Sequence, residues 1–248
     1  MTSHRLVILS GPSCVGKSPL DRALGQLYPE LHQRLQSLVL FNSRDPRPGE
    51  IDGVHYHFRR REQIDALRQQ SRYVVLEVRG DLQALDLEEL SKVLVQGDLL
   101  FEGNPFVGRA LQTHPSLAAI ERLSVFMAPL GREEILLLRA PERNLSLPDL
   151  VTDVMRRKLL RRTRKQKGEL SLRDLENIER RAGSAYAEMR YACEFSHVLV
   201  NHDGEDSDNW NAFPYPLGEA RKSVQAFAAL LRGEVPEGLE HWEHDLLP

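Results

Sequence analysis

Leu6 to Ser18, LVILSGPSCVGKS, is the stretch from which the fold is read. Leu6-Val7-Ile8-Leu9 is a short apolar run with β-branched members, the form of a strand buried on both faces. Gly11 to Ser18, GPSCVGKS, then fits GxxxxGK[ST], the phosphate-binding loop pattern. Glycines let such a backbone curl until several N–H groups face one anion, and the following helix turns its positive end toward the same charge. Lys17 adds a mobile cation for β- and γ-phosphates, and the Ser18 hydroxyl suits Mg²⁺. The expectation is a chain that binds a nucleoside triphosphate.

Two residues of this stretch are unusual. Pro19 stands where a small polar residue is commoner, and a proline is tolerated in the first helical turn because its N–H would have no partner there. Cys14 reads as a small filler of the loop; beside Lys17 and a helix N-terminus its thiol would also be a candidate for a lowered pKa and for oxidation.

At 248 residues the chain is long enough for one substantial core with smaller appended parts. A net charge of -3 gives no global attraction to nucleic acid or to anionic membranes. Cys14 and Cys193 are the only cysteines, so there is no disulfide framework, which suits a reducing compartment. The N-terminal apolar run is too short for a signal peptide, and no run is long enough to span a bilayer. A cytoplasmic protein without a membrane or nucleic-acid partner is expected; oligomeric state is not legible.

Further strands are expected at Leu38–Phe41, Tyr73–Val78, Leu99–Glu102, Leu123–Ala128 and His197–Asn201. Helical patterns intervene at Leu20–Leu27, Arg61–Gln69, Leu87–Val95 and Phe106–Leu111, and a closing helix at Leu217–Leu231. Alternation of this kind implies an α/β fold with a mostly parallel sheet, whose ligands lie at the carboxyl ends of the strands.

Arg44 to Phe58, RDPRPGEIDGVHYHF, is the second informative segment. Two arginines three apart suit a doubly charged phosphate, and the Tyr56 hydroxyl can donate to the same group.

Together these segments resemble guanylate kinase, whose corresponding blocks read approximately GPSGxGKST and TRxPRxGExxGxxYxF. The resemblance continues at Ile178 to Glu188, IERRAGSAYAE, similar to IxxRLxxAxxE, and at Val198 to Asp203, VLVNHD, similar to VIVND. Four blocks in family order span Leu6 to about Asp203. The resemblance implies a P-loop kinase fold with a central parallel sheet, a small acceptor-binding subdomain and a helical lid. It implies transfer of the ATP γ-phosphoryl group to GMP or dGMP with Mg²⁺, and nucleotides as the partners.

On that resemblance Gly11, Ser13, Cys14, Val15, Gly16, Lys17 and Ser18 hold the ATP phosphates, with Asn201 by the adenine. Ser18 and Glu102 hold the metal, and Lys17, Arg181 and one lid arginine act on the transferred group. The lid arginine is ambiguous among Arg157, Arg161, Arg162 and Arg164, with Arg162 taken as the choice. Ser43, Arg44, Arg47, Tyr56, Glu77 and Asn104 form the acceptor set, Glu77 falling where the family reads the guanine N1–H and 2-amino edge. The expected layout is one kinase-like domain: core at about 4–36, 97–130 and 195–232, acceptor part at 37–96, insertion and lid at 131–194, tail at 233–248.

The acceptor end departs from the pattern. Family members carry a Tyr and a hydroxyl residue after the position of Glu77, where this chain reads Gly80-Asp-Leu-Gln83-Ala84-Leu85, and an upstream Ser contact appears as Leu40. Family aspartates are replaced by Glu102 and Asn104. Two readings therefore stand beside a guanylate kinase: a same-fold kinase for another phosphorylated acceptor, and a non-catalytic peptide-binding module. Retention of Lys17, Ser18, Arg44, Arg47 and Arg181 weighs against the last. Beyond Gly204 lies an acidic turn-rich segment without EF-hand spacing, and then a terminal HWEH read as surface tail.

Overall fold

The computed structural model describes residues 4–47 and 49–248. The chain runs through β1 (Leu6–Ser10), α1 (Lys17–Leu27), α2 (Pro29–His32), β2 (Leu35–Ser37), β3 (Leu40–Asn42), β4 (Tyr56–Phe58), α3 (Arg61–Ala66), β5 (Tyr73–Val78), β6 (Asp81–Asp86) and α4 (Leu87–Leu94). It continues with β7 (Asp98–Gly103), α5 (Pro105–Thr113), β8 (Arg122–Ala128), α6 (Arg132–Arg139), α7 (Leu147–Lys167), α8 (Leu172–Gly183), α9 (Ala185–Met189), β9 (His197–Val200) and α10 (Gly218–Leu231).

Five strands form a sheet in the order β2-β7-β1-β8-β9, every neighbouring pair parallel. The apolar run of β1 explains its central place, because strands covered on both faces need no polar alternation. Leu6 and Ile8 face a core completed by Val107 of α5, Met155 and Leu159 of α7 and Met189 of α9. Val7 and Leu9 face the opposite core, with Leu20 and Leu24 of α1 and Val224 and Phe227 of α10. The loop after β1 therefore emerges at the carboxyl edge of the sheet.

A second sheet, β4-β3-β6-β5, is mixed: β3 and β4 are parallel, and β6 is antiparallel to both β3 and β5. Its strands alternate between two environments. Phe41, Val75, Leu82 and Ala84 pack outward on Ile64 of α3, whereas Leu40, Leu76, Val78 and Leu85 join the larger core. The stretch Asp81–Asp86, read from sequence only as a departure from a family segment, is thus a strand, and Arg79-Gly80 is the turn that pairs it with β5. Arg79 and Gly80 both take positive φ, 55° and 87°, which closes this tight hairpin. β3 starts at Leu40 rather than Leu38, and β2 was not foreseen because three residues are too few to display a period.

The region 131–194, expected as insertion and lid, holds α6, α7, α8 and α9. The terminal segment corrects the surface-tail reading. Glu240 pairs antiparallel with Val198, the two backbones exchanging bonds of 2.7 and 2.9 Å. Trp242 is buried against Phe126, its indole N–H donating to Glu240 Oε2 at 2.7 Å, and Leu246 and Leu247 are also buried. No helix is long and apolar enough to cross a membrane among the described residues.

Candidate active site

The loop between β1 and α1 is held by close approaches. Gly11 takes φ +151°, and a Cβ there would lie 2.3 Å from the Met127 carbonyl oxygen; Gly16 takes φ +112°, and a Cβ there would meet Asn201 Nδ2 at 2.5 Å. Only glycine fits both the torsion and the space. Cys14 also adopts positive φ and is buried, and burial pushes its thiol up to about 12, so the reactive reading of Cys14 does not stand.

Lys17 is the first residue of α1, and its Nζ donates to the Gly11 and Pro12 carbonyls at 2.8 Å each, beneath the curled loop. Burial lowers its pKa, while the charges of Glu102 and Glu205 oppose that shift. Ser18 Oγ donates to Glu102 Oε1 at 2.8 Å. Burial raises the Glu102 carboxyl to about 7, against the charge of Lys17 and the Ser18 bond. Hydroxyl and carboxylate together are a hard oxygen pair, a donor set that fits a Mg²⁺ ion keeping most of its water. Among the described residues no three His, Cys, Asp or Glu side chains converge on one point.

On the lid side, α8 brings Arg181 to the loop, where its Nε donates to Ser13 Oγ at 2.9 Å. Burial, and then the charges of Arg162, Arg47 and Arg79, hold its pKa well below the ordinary arginine value. Arg162 is the α7 arginine that reaches this cluster; it donates to Glu205 Oε2 at 2.8 Å. Arg157 and Arg161 instead pair with Asp153 and Asp206. Arg47 stays exposed, its guanidinium 3.9 Å from Glu50 Oε1 and its N–H donating to Glu50 Oε2 at 2.7 Å. Arg44 is clamped by Glu50, two bonds of 2.6 Å, and stacks over Tyr56 and Phe58 with 5.1 and 5.4 Å from guanidinium to ring centres.

Other expected residues have different surroundings. Asn201 is fully buried and spends its amide hydrogens on the Val15 and Asp203 carbonyls, both at 2.7 Å, so it fixes the loop's shape from beneath. Ser43 Oγ accepts from the Leu82 N–H at 2.8 Å, tying β3 to β6. Asn104 Oδ1 caps α5 through the Val107 N–H at 3.0 Å. Glu77 is not brought to the cleft. It alternates with Val78 and Leu76, so it lies on the outward face of the second sheet, 62 % exposed and 3.9 Å from Arg61.

Several members of the site escaped the sequence reading. Glu205 sat in an acidic run read as a turn, yet its carboxyl stays below the usual range despite burial because Arg162, Lys17 and Arg181 surround it. Arg79 makes two bonds of 2.6 Å to the fully buried Glu188, which also accepts from Ser184. Glu188 had been quoted only as the last letter of a motif. Gln83, which accepts from Asn104 Nδ2 at 3.1 Å, had been counted only as a missing hydroxyl.

The family model described as guanylate kinase matches residues 3–97. The chain is 33% identical over 213 residues to a guanylate kinase of Corynebacterium jeikeium, spanning 82% of this chain and 91% of that one. It is 30% identical to the guanylate kinase of Rhodococcus jostii over 80% of this chain and 81% of that relative. The chain belongs to the guanylate kinase family. A crystal structure of guanylate kinase from Anaplasma phagocytophilum shares the fold, with a TM-score of 0.55 at 16% identity over 96% of this chain and 89% of that one.

Proposed function

We propose that this protein is an ATP-dependent nucleoside monophosphate kinase, moving the γ-phosphoryl group of ATP to the phosphate of GMP or dGMP with Mg²⁺. One observation carries the reading: Lys17 lies under the loop, Arg181 bonds the loop at Ser13 and Arg162 bonds the adjacent Glu205, while Arg44 is held against Tyr56 by Glu50 with Arg47 beside it. Phosphoryl transfer asks mainly for two anions held in line and for neutralised charge, which is what two such groups of cations supply. In this reading the backbone of Gly11 to Ser18 and Lys17 hold the donor phosphates, and Arg44, Arg47 and Tyr56 hold the acceptor phosphate. Arg181 and Arg162 neutralise the group in flight. Ser18 and Glu102 would hold Mg²⁺, which when bound bridges the donor phosphates and offsets their charge.

The second sheet, within about 37–96, is the acceptor part, and the region 131–194 carries the lid. The lid must open to release product, which sets a conformational step beside the chemical one. Cytoplasmic residence agrees with nucleotide substrates. Glu77 facing outward favours a second reading, a same-fold kinase for a different phosphorylated acceptor. An ADP-release assay across a panel of monophosphates, with Lys17→Ala as control, separates them. Turnover with GMP supports the first, turnover only with another acceptor supports the second, and silence with every acceptor overturns both.

A further inference from the structure

Asn42 and Gln83 on the inner face of the acceptor sheet, with Asn104 at the start of α5, form a row of amides whose orientations are fixed in sequence. The Val107 N–H donates to Asn104 Oδ1 at 3.0 Å, which turns Asn104 Nδ2 toward Gln83 Oε1 at 3.1 Å. Gln83 is thereby left with its Nε2 donor unassigned: no hydrogen bond among the described residues uses it. Asn42 is the register partner of Gln83 across the β3–β6 pair, so the two side chains stand side by side on one face. Asn42 Oδ1 accepts from the Arg44 N–H at 3.2 Å, and this fixes Nδ2 as the remaining group. Asn42 is 1 % exposed, and its Nδ2 is buried with no hydrogen-bond partner. A buried amide donor left without a partner is costly unless a ligand completes it.

In the chain the row adjoins the expected acceptor-phosphate residues on one side and the metal strand on the other. Arg44 follows Asn42 by two residues and stacks on Tyr56, while Asn104 follows Glu102 by two. All three amide oxygens already accept a bond, and the two uncommitted groups are both donors. The carboxylate expected to accept from a guanine N1–H and 2-amino group, Glu77, faces the other way.

Resting on the monophosphate kinase reading, we propose that Asn42 and Gln83 read the acceptor base by donating to its 6-oxo group, leaving the 2-amino group unread. The enzyme then takes GMP and IMP nearly alike, since they differ only at the 2-amino position, and disfavours AMP, whose 6-amino group is itself a donor. A site built to hydrogen-bond one group rejects analogues lacking it much more strongly than a site that ignores that group.

The test is kcat/KM for GMP, IMP and AMP with the full chain at saturating ATP and Mg²⁺. A GMP preference over IMP of about tenfold or less, with AMP poorer than both by more than about tenfold, is expected. A GMP preference over IMP greater than that, or AMP used as well as GMP, overturns the inference while leaving the kinase reading intact. Turnover of none of the three overturns the reading of a purine monophosphate as acceptor, and the inference with it, and leaves the kinase for another acceptor to the wider panel. Gln83→Glu, isosteric, replaces the Nε2 donor by an acceptor. Its GMP-to-AMP ratio should fall by about tenfold or more with the KM for ATP unchanged. An unchanged ratio in a variant that melts at the parent temperature excludes Gln83 as the reader.

Discussion

Arg162 on α7 donates to Glu205 in the loop after β9 across 2.8 Å, so the arginine proposed to act on the transferred group already holds an internal anion. Lys17 and Arg181 also act on that carboxylate. An incoming triphosphate has to compete with it. Glu205→Gln, which keeps the shape and removes the charge, should lower the KM for ATP by roughly fivefold, on the order of 1 kcal/mol. Initial rates against ATP at saturating acceptor check this, and an unchanged or higher KM would contradict it.

Lys17 lies under its own loop with two carbonyl partners and a pKa lowered by burial. Lys17→Met keeps much of the packing volume but removes the cation. The expected outcome is a fall in kcat of about 10²–10³, the usual cost of deleting one preorganised donor to a developing charge. Circular dichroism melting should stay close to the parent, which separates lost chemistry from lost fold.

Asp86 caps α4 by accepting from the Glu88 and Glu89 N–H groups, and it pairs with Arg72. Burial pulls its carboxyl upward, but Arg72 and the helix N–H groups outweigh that and hold it below the usual range. The folded pKa being depressed, this stabilisation is complete above the ordinary aspartate value and is lost as pH falls through the folded value. Asp86→Ala should cost about 1 kcal/mol at pH 7. Urea titrations at descending pH should show parent and variant converging below about pH 4.

Trp242 fills a space against Phe126 well outside the cleft. Trp242→Ala should destabilise by about 3–5 kcal/mol, the range for removing a large buried aromatic. Denaturant unfolding measures this, and the KM for ATP should not move.

How far the sequence carried depended on whether the signal was local. The loop Gly11–Ser18 was legible because strand, glycines and lysine are consecutive, and the parallel sheet because its strands are continuous apolar runs. Glu77 enters the acceptor set only through the resemblance, and the face its strand presents depends on pairing with β6, which carries no strand pattern legible in the sequence. A shift of one residue changes faces, and no periodicity was available across the Arg79-Gly80 turn to fix the phase. Arg79 with Glu188 and Arg162 with Glu205 join residues 109 and 43 positions apart, beyond any spacing rule. Trp242 was set aside because a short terminal segment has no pattern of its own; the sheet it covers gives it one.

The antiparallel contact between Glu240 and Val198 bears on how copies of this chain meet. Beside β9, a row of main-chain amides that would otherwise invite another molecule is occupied at that point by the protein's own end, and the opposite border is the three-residue β2. Borders so short and so covered are poor templates for continuous strand-to-strand association. Strand-to-strand pairing between copies, where it occurs, is left to the borders of the second sheet, of which the six-residue β5 is the longer.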